Sequence, residues 1–108
     1  MDSIDADAEV LRNEVNRTTC PATEDWRAWA NDARAIRQRY EALGAIPAAL
    51  SRYVDFQIEM YRTYDLGFTA RSTGSELRSQ AYFDQADVLS GRIRTALSNA
   101  NATCASDA

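Results

Sequence analysis

The stretch that decides the fold is IPAALSRYVDFQIEMYRTYDLGF, residues Ile46 to Phe68, which holds five of the ten aromatic residues in under a quarter of the chain. Leu50, Val54, Ile58, Tyr61 and Phe68 recur three and four apart, as one face of a helix requires. A second apolar stripe, Tyr53, Phe56, Met60 and Tyr64, runs along the flank of that face. Arg52, Asp55, Glu59 and Arg62 share the opposite side at ion-pair spacing, which marks it as solvated. Pro47 suits the first turn of such a helix. The spacing predicts a helix over 47–66, central to the fold, with the other segments packed against it.

Working backwards, Gly44 fits the left-handed position that ends a preceding helix. Trp26, Trp29, Ala33, Ile36, Tyr40 and Leu43 hold helical spacing without a break, predicting a bundle seam on a helix over 24–43. Thr18 to Thr23 (TTCPAT) interrupts the pattern with Pro21 and forms a corner. Before it, Ile4, Ala8, Leu11 and Val15 line one face of a helix over 3–17. Ser3 is placed to cap its start, and Asp5, Asp7 and Glu9 lie near the positive end of its dipole.

Working forwards, Gly67 to Ser75 (GFTARSTGS) has the composition of a loop. Thr73 with Glu76, or Ser75 alone, would cap a last helix over 75–102. Tyr82, Ala86, Leu89, Ile93, Leu97, Ala100 and Cys104 form its main stripe, which keeps phase through Ser90-Gly91. Leu77, Ala81 and Val88 form a thinner second one.

Composition agrees with this reading. Among 108 residues there are only four glycines and two prolines, 45% are apolar and 26% charged, which fits one folded domain and is too apolar for disorder. The expected fold is an all-α, antiparallel four-helix bundle in one domain.

All twelve basic residues are arginine, and the net charge is −4. A GC-rich genome accounts for the absence of lysine. The arginines are dispersed rather than gathered in a patch, which argues against nucleic acid as a partner. No apolar run approaches the ~18 residues of a membrane span. No signal-peptide pattern precedes the first helix, so export implies a targeting segment removed from this sequence.

Cys20 and Cys104 are the two cysteines. With no histidine and no paired-cysteine motif, a zinc site is excluded and no metal or other cofactor is expected. Two lone cysteines in a small domain suggest a Cys20–Cys104 disulfide and an extracytoplasmic location, secreted or in the cell envelope, with the cytoplasm as the alternative. The bridge conflicts with the simplest bundle. A twenty-residue helix is ~30 Å long, whereas bridged Cα atoms lie within ~7 Å. Three arrangements reconcile them: helix four turns back at Ser90-Gly91, the Gly67–Ser75 loop crosses the bundle, or residues 18–25 drape along its side.

Catalytic chemistry is sparse. Without histidine there is no nucleophile–base dyad, no Glu-x-x-His di-iron pair and, by motif, no phosphate cradle. The carboxylate pairs Asp55/Glu59, Asp84/Asp87 and Asp5/Asp7 read as solvated surface. Asn16-Arg17-Thr18 and Asn101-Ala102-Thr103 match the glycosylation sequon, which matters only in a eukaryotic secretory pathway. The first-helix segment IDADAEVLRNEVNR resembles the first helix of small helical chorismate mutases. That resemblance implies a helical enzyme stabilising an anionic substrate through cationic side chains, although this chain has no lysine. The candidates here are Arg37, Arg78 and Arg92.

Two function classes follow. The first is a non-enzymatic domain that binds a protein partner or an apolar small molecule through Tyr53, Phe56, Met60 and Tyr64, methionine supplying adaptability. The second is the arginine-based enzyme. A structural or self-associating segment of a larger exported protein is the third reading.

Overall fold

The computed structural model describes residues 2–89, which form four helices: α1 (Asp2–Arg17), α2 (Thr23–Glu41), α3 (Ala48–Ser72) and α4 (Glu76–Leu89). The chain is an all-α bundle as the periodicity predicts, each helix antiparallel to the next. The register is set by side chains: Arg34 on α2 meets Asp65 on α3, and Tyr40 stacks near Tyr61, while Trp26 lies against Phe68. α2 and α3 form the centre. α4 packs on α3, and α1 packs on α2 rather than on α3. The expectation that every helix would pack against the 46–68 stretch is therefore wrong for α1, whose backbone stays off α3 and is tied to it by the Asp5–Tyr53 and Arg12–Tyr61 bonds.

The core is an aromatic column. Trp26 and Trp29 meet edge to face at 5.1 Å between ring centroids. Phe68 lies 5.9 Å from Trp29 and 5.5 Å from Phe83. Tyr64, Tyr61 and Tyr40 continue the series at 6.1, 5.5 and 6.3 Å. These spacings lie in the range where rings attract beyond simple area burial. Ile4, Ala8, Leu11 and Val15 of α1, and Trp26, Trp29, Ala33, Ile36 and Tyr40 of α2, are buried on the faces their spacing indicates.

Helix ends depart from expectation in informative ways. α3 does not stop at Leu66; it runs six residues further, and the connection to α4 is only Thr73, Gly74 and Ser75. Gly67 sits inside the helix because its missing side chain makes room for a ring. A β-carbon there would meet Phe83 Cε1 at 2.6 Å. The helix ends instead at Gly74, whose φ of 83° is the left-handed conformation glycine adopts without strain. Gly74 N–H donates to Arg71 O at 3.1 Å and Ser75 N–H to Ala70 O at 2.9 Å, the paired bonds of a Schellman termination.

α2 ends before Gly44, which is not left-handed; Ala42, in a right-handed conformation, closes it by donating its N–H to Gln38 O. Pro47 is the residue before α3 rather than in its first turn. Ser3 lies within α1 and does not cap it; its hydroxyl accepts from Arg39 Nη2 at 3.2 Å. At the start of α2, Ala22 N–H donates to Asp25 Oδ2 at 2.8 Å, which satisfies one otherwise orphan donor.

α4 is also rotated from its expected phase. Ser79, Phe83 and Ala86 are buried, whereas Tyr82 is half-buried and Leu77 and Ala81 face solvent. Phe83, filling the space above Gly67, sets this rotation. The predicted continuation of the helix to 102, and Ile93, Leu97 and Ala100 on it, lie outside the described residues.

Candidate functional site

The aromatic flank of α3 divides into two. Met60 and Tyr64 are core residues, 3% and 2% exposed, and Tyr64 stacks on Phe68. Tyr53 and Phe56 are 40% and 37% exposed, and Leu50, expected on the core face, is 37% exposed as well. Leu50, Tyr53 and Phe56 succeed one another at three-residue steps. They make an apolar strip on the first half of α3, where α4 does not reach in the described chain.

Beside that strip lies a polar network linking three helices. Tyr40 on α2 donates its hydroxyl proton to Asp5 Oδ1 on α1, and Tyr53 donates to the same oxygen at 3.0 Å. Gln57 Nε2 donates to the Tyr40 and Tyr53 hydroxyls at 3.1 and 3.2 Å. Burial, followed by the hydrogen bond to anionic Asp5, pushes both phenols above the ordinary tyrosine range, because ionisation would place a second negative charge against the carboxylate. Two turns further along α1, Arg12 Nη1 donates to the Tyr61 hydroxyl at 3.1 Å. Tyr61 is raised mainly by burial, with Arg12 opposing the shift. These bonds hold α1 to α3 and pin the exposed Tyr53 ring in place.

The second polar cluster centres on Asp65, which is buried at 5% exposure among the residues of the core. Arg34 grips it with two parallel bonds, Nε to Oδ2 at 3.1 Å and Nη2 to Oδ1 at 3.0 Å. This hydrogen-bonded pairing raises Arg34 above its usual range. Arg37 Nη1 stands 3.8 Å from the same carboxylate, and its Nε is 3.0 Å from Glu41 Oε1 as an ion pair without hydrogen-bond alignment. Thr69 Oγ1 donates to Asp65 Oδ1 at 3.2 Å.

The arginines named from sequence are not brought together. Arg37 faces Asp65 and Glu41, so its charge is already matched within the fold. Arg78 is exposed on α4 beside the α3–α4 turn. Arg92 lies outside the described residues. Neither Arg37 nor Arg78 lines the groove between α1 and α2. Among the described residues no group of three or more His, Cys, Asp or Glu side chains could hold a metal ion, and no helix is long and apolar enough to cross a membrane.

Cys20 is exposed in the corner between α1 and α2, with φ at 53°. Cys104, and with it the expected pairing, lies outside the described residues. Two of the three arrangements that could reconcile a bridge with the bundle are nevertheless removed. Residues 67–72 are helical and leave no loop to cross the bundle, and α2 starts at Thr23, leaving a short corner rather than a long draped segment. The third, a reversal at Ser90-Gly91, falls outside the described residues.

Gln57, Asp65 and Phe83 carry this geometry and were not singled out by spacing, while Asp5, expected to be solvated surface, is half-buried and accepts from Tyr40 and Tyr53. Gln57 and Asp65 had a signal: each occupies a position on the buried side of α3, Gln57 three residues after Val54 and Asp65 between Tyr61 and Phe68. A polar residue on a core stripe requires a buried partner. Its identity depends on which helix lies opposite, and that is a tertiary fact.

The fold and its polar clusters define the class as a small all-α bundle with an aromatic core and no assembled catalytic group among the described residues. No protein-family model matches the sequence, and no curated protein or solved structure matches it.

Proposed function

We propose that this chain is a non-enzymatic binding domain that takes a protein partner or an apolar small ligand on the outer face of α3. The observation that carries the reading is the strip of Leu50, Tyr53 and Phe56, each more than a third exposed on a helix whose other large apolar side chains are mostly buried. Solvent-facing aromatic residues that are held rigid make good binding contacts, since little side-chain entropy remains to be lost. Tyr53 meets that condition through its bonds to Asp5 and Gln57. Met60 and Tyr64 are buried in the core, Tyr64 against Tyr61 and Phe68, and would not touch a ligand.

The enzymatic alternative has little to support it, because Arg37 is matched by Asp65 and Glu41 and Arg78 stands apart from it. An extracytoplasmic location remains part of the reading through the proposed Cys20–Cys104 bridge. A thiol count on the denatured, unreduced chain tests this. No reactive thiol is expected, and two reactive thiols per chain would return the protein to the cytoplasm.

The binding reading is tested with Phe56→Ala and Leu50→Ser, using an environment-sensitive apolar dye and light scattering for self-association. The substitutions should abolish dye binding and any self-association while leaving the melting temperature near that of the wild type. Undiminished binding, or a collapse of stability, would make the strip ordinary core edge.

A further inference from the structure

A different surface places two carboxylates opposite each other. α1 and α2 run antiparallel with Asp7 opposite Arg39 and Glu14 opposite Asp32, and an open groove of about 270 Å³ lies between these two pairs. Leu11 and Ile36, both buried, form its floor, and Val10, 60% exposed, forms its lip. At one end Arg39 is bound to Asp7 and to the Ser3 hydroxyl. At the other end two carboxylates face each other with no cation paired to either among the described residues. Desolvation, and then the charge of Glu14, pushes the Asp32 carboxyl above its ordinary range.

Opposed like charges across a helix interface work against the fold. α1 is held only by α2 and by a few polar bonds to α3, so this repulsion falls on the least supported helix. A cation seated between Glu14 and Asp32 would reverse it. The groove is too apolar along its floor for a free ion alone. What complements it is a positive charge followed, one helical turn along, by apolar side chains that cover Val10 and Ala35.

We propose that the α1–α2 groove docks an amphipathic helix of a protein partner, whose arginine or lysine sits between Glu14 and Asp32. Its leucine-like residues lie on Val10 and Ala35, above the buried Leu11 and Ile36. The net charge of −4 steers such a basic segment toward the protein. This surface lies on different helices from the Leu50–Phe56 strip, and the proposal stands or falls independently of that reading.

The test uses a fluorescently labelled helical peptide with arginines flanking leucines at three- and four-residue spacing. Two control peptides carry the same composition in scrambled order, or glutamate in place of each arginine. Anisotropy titration of the full chain should show binding of the first peptide and of neither control, weakening as salt is raised. Glu14→Gln with Asp32→Asn should weaken it by about tenfold or more, and Val10→Ser should weaken it too. Thermal melts of the variants should equal or exceed the wild type, which shows that the loss is not unfolding. Phe56→Ala should leave peptide affinity unchanged. The proposal is overturned if the wild type does not bind the amphipathic peptide, or if the scrambled peptide binds as well. It is also overturned if the double variant binds as the wild type does, or if Phe56→Ala abolishes binding, which would place the peptide on α3.

Discussion

Gly67 and Phe83 are locked together: the phenyl ring of α4 lies where any side chain on Gly67 would have to go, with only 2.6 Å between Cε1 and the position of an added β-carbon. Gly67 therefore serves close helix packing rather than backbone bending. In an exposed helix, replacing glycine by alanine stabilises by ~1 kcal/mol. Here the clash works the other way, because the ring is confined by Trp26 and Phe68 and cannot swing clear. Gly67→Ala should cost a net ~1–3 kcal/mol, as overpacking of a filled core does. The same change in a Phe83→Ala background should be neutral or stabilising. Chemical denaturation of the four members of this cycle measures the coupling; equal effects in both backgrounds would show that ring and glycine do not compete.

The same pair explains much of what could be read from the chain and what could not. The faces of α1 and α2 were legible because each helix buries a single stripe against its neighbours, so spacing alone identifies it. Gly67 misled because glycine reads as a breaker wherever its neighbour in space is unknown. The spacing on α4 fits a stripe through Tyr82 and Ala86, whereas the buried face runs through Phe83 and Ala86, because only the neighbour in space shows which ring fits against Gly67. The α3 flank failed for a related reason. Spacing put Tyr53, Phe56, Met60 and Tyr64 on one stripe, yet α4 packs against the half of α3 around Gly67 and Phe68 in the described chain, so the two halves of α3 bury different sides.

That division of α3 has a direct energetic consequence. Met60 is 3% exposed and Phe56 is 37% exposed. Removing Met60 leaves a cavity that packed neighbours only partly fill, so Met60→Ala should cost ~2–5 kcal/mol. Phe56→Ala removes surface that is already partly hydrated and should cost ~1 kcal/mol or less. Urea titration decides it. Comparable losses at both positions would mean that Phe56 belongs to the core after all.

Alkaline pH should unfold the protein cooperatively. Tyr40, Tyr53 and Tyr61 are all raised in the folded state, chiefly by burial. In the unfolded chain they ionise at about pH 10. A group whose folded pKa is raised lends its full stability below the unfolded pKa and loses it as pH rises through the folded one. Stability should thus be level through neutrality and fall above about pH 10. Tyr40→Phe should cost ~1 kcal/mol at neutral pH by removing its hydrogen bonds, while making the alkaline decline shallower. Denaturation midpoints across a pH series, with tyrosinate absorbance at 295 nm, follow both effects; a parallel decline in the variant would remove Tyr40 as a contributor.

The Asp65 cluster makes a final, asymmetric prediction. Arg34 and Asp65 share a bidentate pair in which the carboxylate is buried and the guanidinium is 44% exposed. Glu59 and Arg62 make a pair of similar length, 2.9 Å, with both partners about half exposed. Coulomb attraction at contact is alike in the two, so the difference comes from what each leaves behind. Arg62→Leu leaves Glu59 in water and should cost ~0–1 kcal/mol, as surface pairs do. Arg34→Leu leaves Asp65 inside the bundle with only Thr69 hydrogen-bonded and Arg37 at 3.8 Å, and should cost ~2–4 kcal/mol. Asp65→Asn in the Arg34→Leu background should recover part of that loss, because the buried charge is gone while the bond from Thr69 can still be made. Equal destabilisation by the two arginine substitutions would show that Asp65 is hydrated in solution and that Arg34 does not anchor α2 to α3.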